Sequence, residues 1–199
     1  VAGGQRFEPR LVREIEAAAK RTKSSPKAEA LTPLPYDPEH VALIKRALHG
    51  VTQEGTSVRS FANAPYKTGG KTGTAQAIGI KANEKYNASK IDEYQRDHSL
   101  YNAFAPLDEP TIALAVVVEN AGFGSEAAAP IARRVFDYWI SGLWPSDEDM
   151  AATQIGKSTA PIGKQRDAKD VVLPGLQGGG FAQSVVTTAP GPVALNTKP

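Results

Sequence analysis

Lys71-Thr72-Gly73-Thr74-Ala75-Gln76-Ala77-Ile78-Gly79-Ile80 has the composition of a strand: Thr and Ile recur and Pro is absent. Glycines at 69, 70, 73 and 79 predict close approach by a ligand or another backbone. A helix is predicted before it. Asp37 can accept from the free amides of a first turn, and Pro38 suits the first helical position, where its missing N–H costs nothing. Val41, Ile44, Leu48 and Val51 recur at helical spacing, and Gly50 marks an expected end. After the stretch, residues 81–97 are polar and read as a solvated loop or short helix.

Two apolar runs follow, Leu100–Ala105 and Thr111–Glu119, joined by Pro106-Leu107-Asp108-Glu109-Pro110. The connection is short enough for an antiparallel hairpin, and the second run reads as a buried central strand. Pro130 fits only a first turn, so the next helix is expected to begin near 125–129. Ala128, Ile131, Val135 and Tyr138 form one stripe of it, and Ala132, Phe136, Trp139 and Leu143 an adjacent one, a face broad enough to pack on a sheet. Nearer the start, a short strand is expected at Pro9–Ile15 and a Pro-bearing loop at 22–38. The class is α+β, an antiparallel sheet with packed helices over residues 1–144. Residues 145–199, rich in Pro, Gly, Ala, Thr and Gln without sustained periodicity, read as a disordered tail.

Bulk properties narrow the function. Of 199 residues, 23 are Lys or Arg and 21 Asp or Glu, so a formal charge of +2 gives no electrostatic case for nucleic acid. The absence of Cys excludes disulfides, thiol catalysis and thiolate metal sites. His40, His49 and His98 lack ligand spacing, so no metal is expected. No run approaches the roughly 20 apolar residues of a membrane span. Val1-Ala2-Gly3-Gly4-Gln5-Arg6 has no apolar signal region and reads like the middle of a domain, so any anchor is expected upstream.

Lys71-Thr72-Gly73 carries the chemistry. It matches the Lys-Thr-Gly element of serine-acylating enzymes that react with penicillins. Lys71 would supply a positive field, and Thr72 and Thr74 hydroxyl donors, for the free carboxylate ending a peptide. Gly73 would leave room for a substrate backbone to add to the strand edge, and the Thr74 N–H would serve as an oxyanion donor. Lys71 and Thr74 are three apart, so alternation sends them to opposite faces, and a twist or bulge at Gly73 is expected to reunite them. A phosphate-binding loop ending at Gly70-Lys71-Thr72 needs Gly where Pro65 stands. A plain Gly/Thr strand with a solvent-facing lysine fits these five residues equally well.

The wider stretch Gly70–Gln76, with Lys81-Ala82-Asn83-Glu84, Tyr86-Asn87-Ala88 and Arg96-Asp97-His98, resembles the elongation-specific class B penicillin-binding proteins (penicillin-binding protein 2). Arg6–Val12, Ala103-Phe104-Ala105-Pro106, Ile112–Val118, Glu119-Asn120 and Gly122 extend the resemblance over about residues 1–144. It implies the C-terminal part of a D,D-transpeptidase domain on the periplasmic face of the inner membrane, cross-linking peptidoglycan stem peptides during elongation and targeted by β-lactams. It implies no cofactor, and as partners a membrane glycan polymerase and elongation scaffold proteins. It also implies a serine in a Ser-x-x-Lys motif and a Ser-x-Asn motif.

The chain departs from that pattern. Its one formal Ser-x-x-Lys, Ser24-Ser25-Pro26-Lys27, sits in a Pro-bearing loop rather than on a helix, and Ser-x-Asn does not occur. The nucleophile is therefore expected upstream and the chain inactive alone. Only Lys71, Thr72, Gly73 and Thr74 carry over. Thr56 and Ser57 are expected to line the approach, and His98 to position a loop without a catalytic role. A serine D,D-carboxypeptidase or β-lactamase-like acylase shares Lys-Thr-Gly, and a non-catalytic module binding through 145–199 is the reading outside enzymes.

Overall fold

The computed structural model describes residues 4–12, 14–17, 21–26, 29–79, 86–157 and 159–171. It divides into two units, Val1–Lys45 and Arg46–Pro199. In the first, β1 (Arg6–Phe7) pairs with β4 (Ala30–Leu31), and β2 (Ile15–Ala17) with β3 (Thr22–Ser24), both antiparallel. Of the strand expected at Pro9–Ile15, only Ile15, the first residue of β2, lies in a strand among the described residues. Pro9 has no N–H to give a ladder, and Pro9, Arg10, Leu11 and Val12 are all exposed, with no packed face to hold a strand. The expected loop at 22–38 instead contributes β3 and β4.

Helix α1 (Pro38–Gln53) begins as its residues dictate: the Asp37 carboxylate accepts from the Glu39 N–H at 2.7 Å. Gly50 does not end it. A single helical glycine costs only about 1 kcal/mol, and the helix runs three residues further, closing where the Gly55 N–H reaches the Gly50 carbonyl at 3.0 Å.

In the second unit, β5 (Gly69–Ala75), β6 (His98–Ala105) and β7 (Ile112–Val118) form an antiparallel sheet in that order. The hairpin is as expected, but the central strand is β6. β7 alternates half-buried with exposed residues, and Val117 is 61% exposed. A continuous apolar run reports two apolar faces; it does not report strand neighbours on both sides. Helix α2 (Ala128–Ser141) lays Ala128, Ala129, Ala132 and Phe136 on Tyr101, Ala103 and Ala105, with Phe61 stacked on Tyr101 at 6.0 Å between ring centroids. Ile131, Val135 and Trp139 of the expected apolar face remain partly exposed, and the buried face includes Arg133 and Asp137 instead.

Beyond α2 come β8 (Leu143–Trp144), α3 (Asp147–Gln154) and β9 (Arg166–Asp167), which pairs antiparallel with β8. The described residues in 145–171 thus carry structure where a disordered tail is expected, and the expected boundary at 144 falls inside a strand pair. The cause is polar. Ser146 caps α3 by accepting from the Asp149 N–H at 3.0 Å. Asp149, fully buried, pairs with Arg134 at 2.6 Å. Residues 172–199 of that expected tail lie outside the described residues.

Burial of Tyr101 pushes its hydroxyl up to about 12, with Ser57, 3.0 Å away, opposing. A raised tyrosine pKa means that the fold favours the neutral phenol. That stability is whole below the unfolded value of about 10 and is lost as pH rises through about 12, roughly 2–3 kcal/mol in all. Tyr66, partly buried beside Asp137, is shifted in the same direction. Urea midpoints should therefore fall between pH 10 and 12, and less steeply in Tyr101→Phe. A flat midpoint across that range would contradict the burial argument.

Candidate active site

β5 holds the motif. Its register with β6 is unbroken, Lys71 opposite Asn102, Thr72 opposite Tyr101, Gly73 opposite Leu100 and Thr74 opposite Ser99. The expected bulge at Gly73 is absent. Thr72 and Thr74 share the face of Tyr101 and Ser99, while Lys71 takes the other with Asn102. Lys71 is exposed, and its Nζ donates to the carbonyl of Thr72 at 2.8 Å, so the ammonium lies at the backbone of the neighbouring hydroxyl-bearing residue. Thr74 is exposed and Thr72 half-buried. Among the described residues, no strand pairs with β5 on the side away from β6, which leaves that edge open to an extended peptide.

The turn after α1 supports the strand. Thr56 is exposed, with its hydroxyl 2.8 Å from that of Thr72. Ser57 does not line an approach: it is fully buried between the Tyr101 hydroxyl and the Val51 carbonyl. His49 holds the start of β5, its Nδ1 lying 2.8 Å from the Thr68 carbonyl. Nothing in the spacing of the histidines signalled that contact. Gly69 and Gly70 do mark a close approach, but by the chain itself. A methyl at Gly69 would stand 2.7 Å from the Phe104 ring, and one at Gly70 would strike the Tyr101 hydroxyl.

The Arg96-Asp97-His98 stretch ties the flanking loops together. His98 Nδ1 accepts from the Asn120 N–H at 3.0 Å, and the Asp97 carbonyl from the Gly122 N–H at 2.9 Å. The Asp97 N–H donates to the Tyr86 hydroxyl at 3.1 Å. Ser24 lies in β3 opposite Ile15, not on a helix, and Lys27 lies outside the described residues. No group of His, Cys, Asp and Glu that would hold a metal occurs among the described residues, and no helix among them is long and apolar enough to cross a membrane.

Residues 1–137 match the Penicillin binding protein transpeptidase domain. The chain belongs to that family. Among curated relatives of this penicillin-binding protein transpeptidase chain, Peptidoglycan D,D-transpeptidase MrdA of Haemophilus influenzae is 36% identical over 171 residues, covering 84% of this chain and 25% of that protein. The protein of the same name from Escherichia coli K12 is 46% identical over 102 residues, covering 50% of this chain and 16% of that protein. The chain thus spans a quarter or less of the length of either relative. The solved structure of penicillin-binding protein 2B from Streptococcus pneumoniae R6 is similar with a TM-score of 0.52 at 21% identity, covering 70% of this chain and 22% of that one. That likeness bears on the fold alone and agrees with the α+β class. The family matches the resemblance read from the motif and its flanks.

Proposed function

We propose that this chain supplies the Lys-Thr-Gly wall of a peptidoglycan D,D-transpeptidase that works during cell elongation, in a longer protein whose nucleophilic serine lies outside these residues. The reading is carried by one observation, in a member of this family: a strand edge that no described strand pairs with, where Thr72 and Thr74 share one face and the exposed Lys71 ammonium lies at the Thr72 carbonyl. The substrate is a stem peptide ending in a free carboxylate. Lys71, Thr72 and Thr74 bind and orient that carboxylate, Gly73 admits the peptide backbone, and the Thr74 N–H donates to the oxyanion. The serine oxygen attacks the penultimate D-Ala carbonyl, and the terminal D-Ala departs as its amine. A second stem peptide's amine then takes the acyl group and frees the serine. β-Lactams occupy the same site by offering their own carbonyl and carboxylate. Supporting partners on this reading are a membrane glycan polymerase and elongation scaffold proteins, at the periplasmic face of the inner membrane.

The test is acylation by a fluorescent penicillin. The full-length protein is expected to label at a serine outside this chain, and the 199-residue chain alone not to label, since Ser24 has no helical lysine partner. Labelling of the isolated chain that disappears in Ser24→Ala would overturn the assignment of the nucleophile, and a full-length protein that never labels would overturn the function.

A further inference from the structure

The loop between β7 and α2 lies against the motif strand in a way the proposed function does not use. Gly124 sits where Gly73 and Leu100 pair. A methyl there would strike the Leu100 carbonyl oxygen and stand 2.6 Å from the Gly73 carbonyl oxygen and 3.0 Å from the Gly73 nitrogen. Such distances to backbone leave nothing flexible to give way. One residue along β6, directly opposite Thr74, Ser99 is fully buried. Its hydroxyl donates to the Phe123 carbonyl at 2.9 Å and accepts from the Ala128 N–H at 3.1 Å. The second bond matters because Ala127, the residue before α2, has no side-chain acceptor to cap the helix. Ser99 supplies that cap from another element. The same loop is closed behind Gly124 by the Ala129 N–H on the Gly124 carbonyl at 2.8 Å.

We propose that Gly124 and Ser99 are positioning residues for the transpeptidase site: together they clamp the loop and the start of α2 onto the strand pair at Gly73–Thr74 and so set where the Thr74 backbone stands. Ser99 ties the loop to the strand opposite Thr74, and Gly124 lets it lie in direct contact with Gly73. Neither residue touches substrate. The proposal rests on the reading of β5 as the substrate wall, because only then does a small displacement of Gly73–Thr74 change a rate. A catalytic group moved by about 1 Å can lose on the order of a hundredfold in rate.

The experiment compares Gly124→Ala, Ser99→Ala and Gly122→Asn in the full-length protein. Gly122 is in the same loop at φ +77°, with nothing within 4 Å of an added methyl, and asparagine tolerates that conformation. Two quantities are read. Hydrogen exchange at the Gly73 and Thr74 amides reports the strand without requiring activity. The penicillin acylation rate constant per labelled molecule, separated from the initial binding constant, reports the site; general loss of folded protein would lower the labelled amount and leave that constant alone.

Gly124→Ala is expected to speed exchange at Gly73 and Thr74 about tenfold and to slow acylation by at least about tenfold, with a smaller change in initial binding. Ser99→Ala, which adds no atom, is expected to move both in the same direction by about three- to tenfold, and it decides the matter should Gly124→Ala fail to fold. Gly122→Asn should stay within about twofold of the unsubstituted protein in both. Unchanged exchange and acylation in Ser99→Ala and Gly124→Ala would overturn the proposal, as would an equal effect of Gly122→Asn. Failure of the unsubstituted protein to acylate would sink the proposed function instead, and the exchange arm would still decide whether the clamp exists.

Discussion

Lys71→Ala in the full-length protein is expected to slow acylation by penicillin roughly 10²–10³-fold, the loss typical of removing one preorganised charge or donor from an acyl-transfer site. The fold should not suffer. Lys71 is exposed, and its one described hydrogen bond runs to the carbonyl of the next residue, so the ladder with Asn102 does not need the side chain. Unchanged thermal melting together with the slow rate would place the loss in the site. The effect should also be specific to ligands with a carboxylate, because a charge-assisted contact is what disappears. Lys71→Arg should recover little of the rate. A planar guanidinium carries the charge but cannot occupy the position of a compact ammonium folded back on its own strand. An acylation rate within about threefold of the unsubstituted protein, well short of the loss expected for such a group, would remove Lys71 from the site and leave β5 a plain strand with a solvent-facing lysine.

What the sequence made legible follows the range over which its signals act. The cap at Asp37-Pro38, the hairpin around Pro106–Pro110 and the late start of α2 at Pro130 are governed by residues a few positions apart, and they stand. The motif strand is legible from its Thr content and from the chemistry of Lys71, Thr72 and Gly73, but among the described residues it ends at Ala75, short of the expected Ile80. Structure departs from sequence expectation where a distant partner decides. Nothing within β7 tells that β6 occupies the middle of the sheet. Alternation correctly places Lys71 and Thr74 on opposite faces, and the unbroken register keeps them there without the expected bulge. A lysine stem reaches the Thr72 carbonyl without any break in the ladder. Helix α3 has no apolar stripe to recognise, since it is held by Ser146 at its start and Arg134 on Asp149. Ser57 looked like a cleft residue from its place before the motif, and only the Tyr101 hydroxyl, 44 positions away, shows that it is buried. Counting apolar residues on α2 also hid its most constrained pair, Arg133 and Asp137.

That pair carries the second large expectation: Asp137→Ala should cost about 3–5 kcal/mol, the range for removing one partner of a buried ion pair. Asp137 is 1% exposed and Arg133 4%. The Arg133 Nε donates to both carboxylate oxygens, at 2.9 and 3.0 Å, while its Nη1 donates to the carbonyls of Ser60 and Ala62. The Tyr66 hydroxyl donates to the same carboxylate at 2.7 Å and the Gln165 amide at 2.9 Å. One carboxylate therefore joins the segment entering β5, helix α2 and the segment before β9, and its loss leaves an uncompensated guanidinium with little access to water. The midpoint of denaturant unfolding should drop accordingly. Replacing both charges, in Arg133→Met with Asp137→Leu, should restore part of the loss, because no unpaired charge stays buried, while the Ser60 and Ala62 carbonyls and the Gln165 amide lose their partners. Tyr66 provides an internal reporter. Burial first, and the Asp137 carboxylate second, hold its phenol well above the usual tyrosine range. In Asp137→Ala its titration should move back towards the ordinary value without reaching it. A variant that unfolds within about 1 kcal/mol of the unsubstituted chain, far below the cost of leaving a buried charge unpaired, would show that water reaches Arg133, and the buried carboxylate would then no longer account for how the segment leading into the motif strand is held.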